Sequence, residues 1–128
     1  YRMVPMKANA PYHSALIQPY QNRLQELLAD VDVQQPVFPI ISTVSGKQIE
    51  QAGEIKTLLT EQLVKPVLWN QAVEQALLCA PELFADIGPN KIMKNLVLET
   101  DPSMQALAWD SAEDQPTIQQ FFRKQEVS

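Results

Sequence analysis

The strongest constraint on this chain is the run Val37-Phe38-Pro39-Ile40-Ile41-Ser42-Thr43-Val44, closed by Pro36 on one side and Gly46 on the other. An uninterrupted apolar run of that length fits a strand buried on both faces, as in a parallel sheet covered by helices. Leu83-Phe84-Ala85-Asp86-Ile87 is a second such run, ending at Gly88-Pro89, and Met104 to Trp109 is a third. Ahead of them, Arg2 to Ala8 alternates like a strand, and Pro5 suits an edge position.

Helical patterns fill the spaces between these strands. Leu16, Tyr20, Leu24, Leu27 and Leu28 predict a helix over 14–29, with Ser14 as N-cap. Pro19 either kinks that helix or marks its true first turn. A second helix is expected over 54–64, broken by Lys65-Pro66, and a third over 68–79, ended by Pro81. Asn90 suits the N-cap of a fourth helix, and Pro116-Thr117 opens a last one carrying Ile118, Phe121 and Phe122. Strands alternating with helices give an α/β layer structure.

Composition excludes several classes. A chain of 128 residues, 45% hydrophobic and 20% charged, can form one domain with a core. A net charge of -5 argues against nucleic acid or anionic membrane as the main partner. No apolar run approaches the roughly 20 residues that span a bilayer. With one histidine and one cysteine there is no conventional zinc cluster, and a cytoplasmic compartment is the default expectation. The first residues lack an initiator Met and read as the middle of a strand, as expected of a piece of something longer.

The only histidine, His13, stands in Asn9-Ala10-Pro11-Tyr12-His13-Ser14 at a proline-marked bend before a helix. Histidine is the natural general base near neutral pH and can activate a serine or cysteine. Such a base also needs a third group to fix its tautomer and orientation. The residues alone favour a loop histidine with no such task. Gly88-Pro89-Asn90-Lys91 follows a strand and opens a helix, where exposed N–H groups can hold an anion. One glycine is not a glycine-rich loop, so a structural turn is the preferred reading. Trp69, Trp109 and Cys79 are expected in the core, and no close pair of carboxylates stands apart for acid–base work.

Four segments together resemble the malonyl-CoA:acyl carrier protein transacylases and the acyltransferase domains of polyketide synthases. They are the approach to Ala10-Pro11-Tyr12-His13-Ser14, the run Phe38 to Val44, Gln62-Leu63-Val64-Lys65-Pro66-Val67-Leu68-Trp69, and Asp86-Ile87-Gly88-Pro89-Asn90-Lys91. They stand in the family's order and cover nearly the whole chain. The resemblance implies the C-terminal half of a hydrolase-like α/β fold, mostly parallel sheet flanked by helices. Residues 1–12 would end an inserted ferredoxin-like subdomain, and 13–128 would belong to the large subdomain.

The resemblance also implies a chemistry. A Ser–His pair moves a malonyl-type acyl group from coenzyme A to the phosphopantetheine thiol of an acyl carrier protein, with no bound cofactor and no metal. His13 would be the base, and Gln62 would orient its imidazole through the backbone carbonyl. Tyr12 would crowd an α-methyl branch and favour malonyl, by about 1–3 kcal/mol for one methyl. Asn90 stands where the family usually has Gly. The Gly-His-Ser-x-Gly elbow, the oxyanion-hole glutamine and the carboxylate-binding arginine are absent from this sequence, so the nucleophile would come from an N-terminal half. Two alternatives stay open. One is an acyl-carrier-protein hydrolase of the same fold. The other is a non-catalytic docking module using Lys91, Lys94, Arg123 and Lys124.

Overall fold

The computed structural model describes residues 10–125. The expected strand over Arg2 to Ala8 lies outside the described residues. The chain divides into two compact units, Tyr1–Gln75 and Ala76–Ser128.

In the first unit, a 3-10 turn over Ala15–Ile17 leads into helix α1, Gln18–Leu28. Pro19 falls in the first turn of α1, where its missing N–H costs no hydrogen bond, so it marks the true start and does not kink the helix. Ser14 is not a side-chain cap. Its hydroxyl turns back to donate to the Pro11 carbonyl at 2.6 Å. Helix α1 packs on α2, Ala52–Glu61, and Lys56 Nζ donates to the Ala29 carbonyl at the end of α1 at 2.9 Å. The start of α2 is capped twice. Glu54 Oε1 accepts the Gln51 N–H at 3.1 Å, and Gln35 Oε1 accepts the Ala52 N–H at 3.0 Å.

The long strand expected over 37–44 is corrected. Only Ile41–Ser42 (β1) is strand, paired antiparallel with Lys47–Gln48 (β2). Val37 and Phe38 are 89% and 78% exposed. The reason is covalent: Pro36 and Pro39 carry no N–H, so laddering begins only past Pro39. The chain then reverses through Gly46, whose φ of 67° is left-handed. A β-carbon there would lie 2.7 Å from Gln71 Cβ. Gly46→Ala therefore adds a left-handed alanine to an overpacked contact and should cost about 2–4 kcal/mol, read as a lower denaturant midpoint at unchanged slope. The buried apolar residues of this unit include Ile17, Ile49, Ala72 and Val73.

Helix α3, Trp69–Leu77, ends ahead of Ala80, at a left-handed φ of 49°, and Pro81. Past it the second unit carries the parallel pairing. Strand β3, Phe84–Asp86, and strand β4, Ala106–Ala108, pair with Phe84 opposite Ala106 and Asp86 opposite Ala108. Helix α4, Ile92–Thr100, makes the crossover and packs on both strands. Helix α5, Gln115–Gln125, follows, with Ile118 only 1% exposed. Val97, Ala106 and Ala108 complete this apolar centre. Two core expectations fail: Cys79 is exposed, and Trp109, one residue past the end of β4, is nearly half exposed. Trp69 is half-buried. The architecture is α/β, with parallel strands flanked by helices.

Candidate active site

Pro11 biases Ala10 toward an extended backbone and so sets up the turn that presents His13. His13 has a φ of 60°, a left-handed conformation uncommon outside glycine. Strain of this kind costs on the order of 1–3 kcal/mol and persists only where the surroundings enforce it. Here the enforcing contact is the His13 N–H, which donates to the Leu63 carbonyl at 2.8 Å. The imidazole is exposed, and its Nδ1 lies 3.1 Å from the Lys65 carbonyl oxygen. A carbonyl only accepts, so Nδ1 carries the proton in this contact, and in the neutral ring the lone pair is then on Nε2. Among the described residues no group bonds Nε2.

The carbonyl within reach of Nδ1 is thus that of Lys65, whereas the resemblance had implied that of Gln62. Helix α2 stops at Glu61, and the chain turns tightly before Pro66. Lys65 N–H still reaches back to the Glu61 carbonyl at 2.9 Å, whereas the Lys65 carbonyl leaves the helical ladder. Gln62 instead lines an apolar cleft of about 250 Å³ with Ile40, Ile55, Leu58 and Leu59. Tyr12 is 62% exposed. With Leu16, Ile17, Tyr20 and Leu63 it walls a second cleft, of about 510 Å³, beside the histidine turn. His13, Lys65, Leu63 and Tyr12 therefore come together, and among the described residues no hydrogen bond joins Gln62 to the imidazole.

In the second unit the turn after β3 is occupied from within. Asp86 Oδ1 accepts the Gly88 N–H at 2.9 Å, and Asp86 Oδ2 accepts the Lys94 N–H at 3.1 Å. The Gly88 bond, and then the Lys94 bond, hold the Asp86 carboxyl below its ordinary value against the opposing effect of burial. The Gly88 and Lys94 N–H groups, which could have faced an outside anion, are used by the chain's own carboxylate. Asn90 does assist the helix start, its Oδ1 accepting the Ile92 N–H at 3.1 Å. Lys94 Nζ pairs with Asp114 Oδ2 at 2.6 Å, and that oxygen also accepts the Ala108 N–H at 2.9 Å. The Asp114 carboxyl is held low chiefly by Lys94. Lys91 pairs with Glu113 at 3.6 Å. Both lysines thus have carboxylate partners within the chain. Sequence reasoning passed over Asp86 and Asp114 as scattered acids. The available signal was an aspartate closing a strand just before Gly-Pro. Among the described residues no group of three or more His, Cys, Asp or Glu could hold a metal ion. None of their helices is long and apolar enough to cross a membrane.

No protein-family model matches the chain. Individual proteins do. The malonyl CoA-acyl carrier protein transacylase of Bacillus subtilis is 30% identical over 107 residues, covering 84% of this chain and 34% of that protein. The chain is a relative of the malonyl CoA-acyl carrier protein transacylases. It spans about a third of the length of the curated relatives it matches. The fold agrees. The crystal structure of the transacylase from Clostridium perfringens superposes with a TM-score of 0.86 at 24% identity, over 97% of this chain and 39% of that one. A malonyl-transacylase solved in complex with its type II polyketide acyl-carrier protein gives a TM-score of 0.79 at 26% identity, over 88% of this chain and 36% of that one.

Proposed function

We propose that this chain supplies the histidine base of a malonyl-type acyltransferase whose nucleophilic serine stands outside the sequence. The observation that carries the reading is the His13 geometry. Nδ1 is engaged by a backbone carbonyl on an exposed ring, which in the neutral form leaves the lone pair on Nε2. A base held this way can take a serine proton through Nε2 and return it to the departing thiol. The acyl group would pass from the coenzyme A thioester to serine, and then to the phosphopantetheine thiol of an acyl carrier protein. Water taking the place of that thiol would make the same site a hydrolase. Tyr12 would shape the acyl end of the site from its place next to His13. Residues 13–128 would form the C-terminal part of the large α/β subdomain, and 1–12 the end of the small one. The kinship with transacylases, one of them solved with its carrier protein, supports this reading.

The experiment combines this chain with a polypeptide carrying the serine elbow of a transacylase. It follows malonyl transfer from malonyl-CoA to a carrier protein. Transfer that requires both pieces is the expected result. Release of free malonate with no loaded carrier would replace the transferase by the hydrolase.

A further inference from the structure

One short stretch holds His13 at two backbone points. The His13 N–H donates to the Leu63 carbonyl at 2.8 Å, and Nδ1 reaches the Lys65 carbonyl at 3.1 Å. Both carbonyls lie just past the last residue of α2. Had the helix continued, they would point along its axis and bond amides four residues on. The helical pattern in fact reaches Lys65 from one side only. Its N–H bonds the Glu61 carbonyl at 2.9 Å, and its Nζ pairs with Glu61 at 2.8 Å. Its carbonyl breaks away. The next residue is Pro66, which has no N–H to give the Gln62 carbonyl, and whose ring disfavours a helical Lys65.

We propose that Pro66 is a positioning residue for His13. By ending the turn that follows α2 and keeping Lys65 out of the helical region, it leaves the Lys65 carbonyl directed at the histidine. It thereby sets the imidazole as the Nδ1–H tautomer, with Nε2 as the basic nitrogen. This rests on the reading of His13 as a base, yet it is tested without activity. The chain has a single histidine, so its imidazole nitrogens give one set of signals. Long-range proton–nitrogen NMR on the intact chain, well above the ordinary histidine range, reads the ratio of the two neutral tautomers directly.

The wild-type chain is expected to show mainly the Nδ1–H form. In Pro66→Ala the ratio of Nδ1–H to Nε2–H should fall roughly two- to tenfold, the equivalent of one ordinary hydrogen bond. Pro66→Val should give a smaller fall, because a β-branched residue still resists helix. A folded Pro66→Ala chain with the wild-type ratio overturns the proposal. If that variant does not fold, an unchanged ratio in Pro66→Val overturns it instead. A wild-type chain mainly in the Nε2–H form overturns it as well. Full transfer activity without His13 would remove the base reading while leaving the tautomer shift in place, so the two failures are distinguishable.

Discussion

In the two-piece transfer assay, His13→Asn is expected to lower malonyl transfer by about 10²–10⁴-fold, the usual range for loss of a general acid–base group. Asparagine is the informative replacement. It tolerates the left-handed backbone that His13 adopts, so the turn stays in place while the base is lost. Alanine removes the base and also strains the turn. Gln62→Ala is the natural comparison. The carbonyl against the imidazole belongs to Lys65, and the Gln62 side chain faces an apolar cleft, so Gln62→Ala should leave most of the transfer rate intact. Undiminished transfer by His13→Asn would end the assignment of His13 as base.

The largest stability effect is expected at Asp114. Asp114 is 8% exposed, and its carboxylate serves two groups, the Lys94 ammonium and the Ala108 N–H, and Ala108 is itself fully buried. Asp114→Ala strands both at once. Breaking a buried pair in this way costs about 3–5 kcal/mol. Asp114→Asn keeps an acceptor for Ala108 and gives up only the charge, so it should cost less, and chemical denaturation of the two variants tests the order. The sign of the pH dependence follows from the same contacts. Asp114 and Asp86 both have carboxyl pKa values below the ordinary 3.8 in the folded chain. Their contribution is fully present above the unfolded value. It is lost as pH falls below 3.8 and through the lowered folded values. In Asp114→Asn the acid limb of the stability curve should flatten, with the share of Asp86 remaining. An acid limb as steep as the wild-type one would show that Asp114 is not a contributor.

The alternation of apolar runs and helical stripes made the α/β class legible before any coordinates. Helix positions followed the 3.6-residue period closely, and Pro19, Asn90 and Pro116 marked starts that the structure keeps near those residues. The strands were harder to read. Hydrophobicity over 37–44 says that the segment seeks cover, but pairing needs N–H groups that Pro36 and Pro39 do not have. Strand length was therefore overestimated while the location was sound. Tyr20 and Leu27 show the same limit in a helix: they lie on the apolar stripe of α1 and yet are well exposed. A stripe records which face is apolar and not whether these residues cover it. At the site, the histidine was visible because it is unique. Its partner was placed at Gln62 because a shared motif carries residue identity well, but a backbone carbonyl has no sequence signature of its own. The left-handed φ of His13 was equally invisible, since histidine is compatible with either hand.

Asp86 has one more consequence. Because it holds the Gly88 and Lys94 N–H groups at the start of α4, phosphate or sulfate seeking those two donors would have to displace a carboxylate tethered in place. A phosphate-bearing ligand at this turn would find the Gly88 and Lys94 N–H groups already taken. In the folded chain the turn is a socket plugged from within.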